Sequence, residues 1–120
     1  MKPLHGQVAI VTGAAKRIGR ALALSLAEAG AHVAITYRES EAEAQATVAE
    51  LAERGVLAAA FRADLSDPAQ IRTTNDTIAD QFSRIDILVN NAGVHETAAL
   101  ERITVEQWDA MFATNTRAPF

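Results

Sequence analysis

The chain has 120 residues, 49% of them hydrophobic and 22% charged, a formal net charge of −4, and no cysteine. That length allows one modest domain with a real core, and the missing cysteines exclude disulfides, thiolate chemistry and cysteine metal sites. The eleven basic residues are scattered, which argues against a nucleic-acid or acidic-membrane surface, and no apolar run is long enough to span a bilayer.

Met1-Lys2-Pro3 is not followed by a signal-type apolar core, so a cytoplasmic location is the expectation. Residues 1–6 read as a lead-in ended by Gly6. Val8-Ala9-Ile10-Val11 has the length of a buried parallel strand, placed at about Gln7–Thr12. The strand stops at Gly13. From Ile18, the positions Ile18, Ala21, Leu22, Leu24, Leu26 and Ala29 recur at mostly helical spacing, and Gly30 is a C-terminal stop. A second β-rich run follows at His32–Tyr37. Ser40 is placed to cap a helix reaching about Arg54, closed by Gly55, with Ala44, Val48, Leu51 and Ala52 on one face. A third strand fits Leu57–Arg62. Ser66-Asp67-Pro68 starts a helix that runs to about Phe82, with Ile71, Ile78 and Phe82 facing in. Strand four is Asp86–Asn90, Asn91-Ala92-Gly93 is a turn, and Thr104 opens a last helix carrying Val105, Trp108, Met111 and Phe112.

Strand and helix thus alternate four times with short connections, the pattern of a doubly wound parallel sheet. The apolar periodicity is still running at Phe120, so the expectation is a domain cut short within the helix after strand four.

Three stretches carry candidate chemistry. A strand, a glycine turn and a helix in that order cradle a phosphate, because the helix N-terminus offers unpaired N–H groups and positive partial charge. Gly13 and Gly19 sit in that context, although any tight turn can use glycine. An acidic residue ~20 positions further on normally bonds the ribose hydroxyls of NAD. Tyr37-Arg38 stands there instead. Arg38 and Lys16 together suit a 2′-phosphate, the alternative being two solvated surface cations. Asp64, at the end of strand three, is placed beside an adenine or simply starts a turn. Asn90-Asn91-Ala92-Gly93 lines a switch-point crevice or is an ordinary turn. The three histidines share no metal-ligand spacing, and no metal is expected.

Thr12-Gly13-Ala14-Ala15-Lys16-Arg17-Ile18-Gly19, Asp64-Leu65, Asn90-Asn91-Ala92-Gly93 and Asn115 together resemble the classical short-chain dehydrogenase/reductase family, over essentially the whole chain. The resemblance implies a Rossmann-type sheet of strand order 3-2-1-4 that binds NADP(H). It implies that Gly13, Lys16, Arg17, Ile18 and Gly19 hold the cofactor phosphates. Tyr37, Arg38 and Ser40 would take the adenosine ribose and its 2′-phosphate. Asp64 and Leu65 would frame the adenine, and Asn91, Ala92 and Gly93 the adjoining ribose. Thr12 and Asn90 would tie neighbouring strands. Asn115 would support a proton-relay water through its main chain. The family usually has glycine at the position of Arg17. The Lys16-Arg17 pair is similar to the pteridine reductase-like branch, which implies a pterin-like substrate as one option among carbonyl compounds. The family also commonly assembles as homodimers or homotetramers through the helix that carries Trp108 and Phe112.

The family's chemistry needs a serine, a tyrosine and a lysine four residues after that tyrosine, dividing general acid–base work beside a hydride carrier. Tyr37 is the only tyrosine, Glu41 follows it by four, and the only lysines are Lys2 and Lys16. Residues 1–120 are therefore expected to be the cofactor-binding, N-terminal part of a longer oxidoreductase. The alternatives are a non-catalytic dinucleotide-binding module and an inactive truncated chain.

Overall fold

In the computed structural model, which describes residues 1–120, eight main elements alternate in chain order. They are β1 (Val8–Val11), α1 (Arg17–Glu28), β2 (His32–Tyr37), α2 (Glu41–Ala52), β3 (Ala58–Arg62), α3 (Pro68–Phe82), β4 (Ile87–Val89) and α4 (Val105–Phe112). A 3-10 turn at Leu100–Arg102 precedes α4, and a π-helical turn at Ala113–Arg117 follows it. The four strands form one parallel sheet in the order β3-β2-β1-β4. Val8 pairs with His32, Ala9 with Ile87, and Val33 with Ala58.

The crossing of strand order from one side of β1 to the other follows from which runs are apolar on both sides. β1 and β2 are the inner strands and are almost wholly buried, from Val8 through Val11 and from Val33 through Tyr37. Alternate residues point to opposite faces. Val11, Val33 and Ile35 pack with Ala23 and Ala27 of α1 and with Ala44 and Leu51 of α2. Ile10 and Ala34 pack on the other face against Ile78 of α3, flanked by Phe61 and Phe82. Helices therefore cover both faces, as a doubly wound sheet requires. The second face is the thinner one, and Leu88 on it remains 54% exposed.

Several details differ from the sequence expectation. The buried stripe of α1 is Gly19, Ala23 and Ala27, whereas Ile18, Ala21 and Leu22 are exposed. Small residues at i, i+4 and i+8 let the helix axis approach the sheet closely, and the larger apolar side chains flank that stripe. On α2, Thr47 is buried and Ala52 is exposed, because the hydroxyl of Thr47 has a main-chain partner described below. Ser40 occupies the N-cap position of α2, but its side chain makes no capping bond. Asp67 does cap α3, accepting from Ala69 N–H at 2.9 Å, with Pro68 at the first helical position. Thr104 opens α4 through a reciprocal capping box with Gln107. β2 spans its expected His32–Tyr37, whereas β1, β3 and β4 are shorter than expected by one or two residues, β4 losing one at each end.

Asp86 explains why β4 starts where it does. Its carboxylate accepts from Val8 N–H at 2.8 Å, and its own N–H donates to Val8 O at 2.9 Å. Arg84 donates to the same carboxylate from two nitrogens. The Arg84 hydrogen bonds, helped by the Val8 amide, hold the Asp86 carboxyl below the usual carboxylate range. No helix is long and apolar enough to cross a membrane.

Candidate nucleotide-binding site

The loop between β1 and α1 is fixed from three directions. From β4's side, Asn91 Nδ2 donates to Thr12 O and Gly13 O, both at 3.1 Å. Thr12 Oγ1 accepts in return from Asn91 N–H at 3.1 Å and Ala92 N–H at 3.0 Å. From β2, Thr36 accepts twice: Gly13 N–H reaches its Oγ1 at 3.2 Å and Ala14 N–H its carbonyl at 3.1 Å. From α2, the buried Thr47 hydroxyl donates to Ala15 O at 2.8 Å. The strand tie expected of Thr12 and Asn90 is thus made by Thr12 and Asn91. Asn90 lines a groove on the α3 face instead.

Two glycines are required by this packing. Gly13 has φ +62°, and a Cβ there would lie 2.9 Å from Ala92 Cα. A Cβ on Gly19 would lie 2.5 Å from Asn91 Nδ2 and 2.6 Å from Gly13 O. The close approach of loop, helix and β4 thus leaves no room for a side chain at either position.

α1 begins without a side-chain cap on Lys16, and no acidic residue stands in its first turn. The amides of Arg17, Ile18 and Gly19 have no intrahelical acceptor. They carry the positive end of the helix dipole, and Lys16 and Arg17 add full charges. Arg17 has φ +56°, the left-handed region that glycine enters freely and other residues enter at a cost. Such a cluster of unpaired donors and cations fits an anionic group such as a phosphate.

A cleft of about 440 Å³ opens over this turn. Gly13, Lys16, Arg17, Ile18, Gly19, Tyr37, Arg38, Asp64, Leu65, Asn91, Ala92 and Gly93 all line it. Ser40 does not. Asn115 stands behind the wall: its Oδ1 accepts from Val94 N–H and its Nδ2 donates to Val94 O, each at 2.8 Å. Thr36, Ala63, Val94 and Thr114 complete the lining and carry no motif signal of their own in the sequence. Arg62 was equally silent; its Nε donates to Arg38 O at 3.1 Å and so holds the main chain that presents Arg38.

The far wall is organised by Asp64. Its Oδ1 accepts from Ser66 Oγ at 2.6 Å and from Ser66 N–H at 3.0 Å. The Ser66 hydroxyl, then the Ser66 amide, then the positive charge of Arg38 hold the Asp64 carboxyl below its ordinary range. The cleft therefore presents fixed amides and two cations at one end, Arg38 at its rim, and an ionised carboxylate on its far wall. No set of three or more His, Asp or Glu side chains is gathered to hold a metal ion.

The comparisons with known proteins agree with this geometry. The family model for short chain dehydrogenases matches residues 7–120. An uncharacterized oxidoreductase of Methylorubrum extorquens is 44% identical over 115 residues, covering 96% of this chain and 46% of the relative. A 3-oxoacyl-acyl-carrier-protein reductase of Synechocystis is 41% identical over 120 residues, or 49% of the relative's length. The crystal structure of a short chain dehydrogenase from Burkholderia cenocepacia in complex with NADP superposes with a TM-score of 0.93 at 44% identity, covering 96% of this chain and 47% of that one. A metagenomic blue fluorescent protein in complex with NADPH superposes with a TM-score of 0.92 at 39% identity, covering 99% of this chain and 49% of that one. The chain spans about half the length of these relatives. With a match reaching from the first strand to Phe120, on the strand order and glycine turn just described, the chain belongs to the short-chain dehydrogenase family.

Proposed function

We propose that this chain is the NADP(H)-binding part of an oxidoreductase that reduces a carbonyl or imine-like bond. The carrying observation is the charge layout of the cleft: unpaired amides with Lys16 and Arg17 at the start of α1, and a cation rather than a carboxylate after β2. An NAD site would place an acidic side chain where Tyr37-Arg38 stands. Arg38, supported by Arg62, is assigned to the 2′-phosphate, with Lys16 beside it.

The turn amides of residues 17–19 and the Arg17 guanidinium take the pyrophosphate. Asp64 and Leu65 frame the adenine, where an ionised carboxylate accepts from the exocyclic amine. Ala92 and Gly93 give the adjoining ribose a wall without bulk, and Asn91 holds that wall to the glycine turn. Ile18, 71% exposed and lining the cleft, is an apolar surface that a bound cofactor would cover. Ser40 has no part in the proposed site beyond starting α2. When bound, the nicotinamide supplies the hydride chemistry. Both side-chain atoms of Asn115 are committed to Val94, so any part it takes in moving a proton falls to its main-chain carbonyl.

Within residues 1–120 no Tyr-x-x-x-Lys pair exists, so this stretch binds cofactor and does not turn over substrate by itself. The two named substrate options rest on different supports. The 3-oxoacyl reductase relative favours a carbonyl compound, while Arg17 in the glycine's place favours a pterin-like one. A homodimer or homotetramer would cover the exposed Trp108 and Phe112, whose rings stack at 4.8 Å on α4.

Calorimetric titration of the chain with NADPH and NADH tests the assignment. NADPH should bind more tightly. In Arg38→Asp that preference should move toward NADH by roughly ten- to a hundredfold, the worth of one charge-assisted contact. An unmoved preference would remove Arg38 from the 2′-phosphate site.

A further inference from the structure

The π-helical turn Ala113–Arg117 reaches both walls of the cleft. Toward β4's loop, Asn115 grips the Val94 peptide, directly after Asn91–Gly93. Toward β3's loop, Arg117 Nη2 donates to Ser66 O at 2.5 Å. Residues two apart on a helix point to different sides, which is how one short turn serves two opposite loops. Thr114, on the same turn, lines the cleft.

Ser66 is not a passive anchor. Its amide and its hydroxyl both hold Asp64 Oδ1. The next residue, Asp67, caps α3 and donates its own N–H to Asp64 O at 3.1 Å. Gln70 of α3 accepts from Asp64 N–H at 2.8 Å. The loop 64–67 is thus tied to α3 along one side and to Arg117 across the other, and a shift of the Ser66 peptide moves the Asp64 carboxylate with it.

We infer that Arg117 is a positioning residue for the nucleotide: by fixing the Ser66 carbonyl from the π-helical turn, it sets where Asp64 stands and how wide the adenosine side of the cleft is. This rests on the cleft being a nucleotide site, as proposed above. Arg117 touches neither cofactor phosphate nor reacting atoms in this assignment; it acts through Ser66 and Asp64.

The test is calorimetric titration of the chain and of Arg117→Ala and Arg117→Lys with adenosine 2′,5′-bisphosphate, which carries the adenine and the 2′-phosphate without the nicotinamide. Melting temperatures are measured alongside. Arg117→Ala should bind the probe roughly tenfold more weakly, equivalent to about 1.4 kcal/mol, with a melting temperature within about 2 °C of the parent chain. Arg117→Lys, which can donate to the same carbonyl, should recover part of the loss. Parent-like affinity in Arg117→Ala overturns the positioning role and leaves the nucleotide site standing. Absence of probe and NADPH binding by the parent chain overturns the nucleotide site itself, and the positioning role with it. If Arg117→Ala loses its fold, Arg117→Lys decides: equal losses of affinity and melting temperature there mean that Arg117 is merely structural, which also overturns the inference.

Discussion

Replacing Arg17 by glycine should make the protein more stable and its cofactor binding weaker. Arg17 sits at φ +56° in the first turn of α1. A residue with a Cβ in that region carries about 1–2 kcal/mol of strain. Glycine removes the strain but gives the unfolded chain more freedom, worth about 0.5–1 kcal/mol in the opposite direction. The balance for Arg17→Gly is a gain of roughly 0.5–1 kcal/mol, or about 2–5 °C in melting temperature for a chain of this size. The same change removes a guanidinium from the end of the cleft proposed to hold the phosphates, at a loss of about 1.5 kcal/mol if it makes one charge-assisted contact there. NADPH should then bind roughly tenfold more weakly. Arg17→Ala separates the two effects, because it keeps the Cβ and its strain while losing the charge. Thermal melts and calorimetric titration of the three proteins suffice. A melting temperature for Arg17→Gly at or below that of the parent would refute the strain argument. Unchanged NADPH affinity in both variants would refute the phosphate contact.

Thr47→Val keeps shape but leaves Ala15 O without its buried partner, and should lower stability by about 1–2 kcal/mol in urea unfolding. Cofactor affinity should fall too, since that bond holds the glycine turn from α2. The depressed carboxyls of Asp64 and Asp86 predict an acid-side loss of stability. Each folded form binds its proton less readily than the unfolded chain. The stabilisation is therefore complete above the ordinary carboxylate range near pH 4, and disappears as pH falls through the lower folded values. Asp86→Asn should be less stable than the parent at pH 7, with the difference closing below about pH 4. A gap that stays constant from pH 7 to pH 3 would show that the Arg84–Asp86 pair is not its source.

Periodicity located every main element because inner strands such as Val8–Val11 and His32–Tyr37 read as near-continuous apolar runs. Caps written in side chains, at Asp67 and Thr104, were equally plain. Positions decided by partners far along the chain are not legible in the sequence. Thr47 looked polar and became core through a bond to Ala15, and Ala23 and Ala27 look unremarkable until the closeness of α1 to the sheet makes their size the point. Most cleft residues are legible as short motifs at the ends of strands, whereas Thr36, Ala63, Val94 and Thr114 are not. The supports of the cleft are not legible either, since Thr36, Arg62 and Arg117 act on main-chain atoms 23 to 51 positions away. Asn91 rather than Asn90 ties the strands because of which side of the short β4 each side chain leaves, a register question that adjacent asparagines in a sequence leave open.

The stitching of Thr12 to Asn91 spans 79 positions. During synthesis the glycine turn therefore lacks one of its three supports until β4 has emerged and docked beside β1, however early β1 and α1 meet. If the cleft holds a dinucleotide as proposed, that capacity would signal that the 79-residue closure between Thr12 and Asn91 has formed. A ligand seated there should act chiefly by slowing the escape of β4, prolonging the folded lifetime more than it hastens folding.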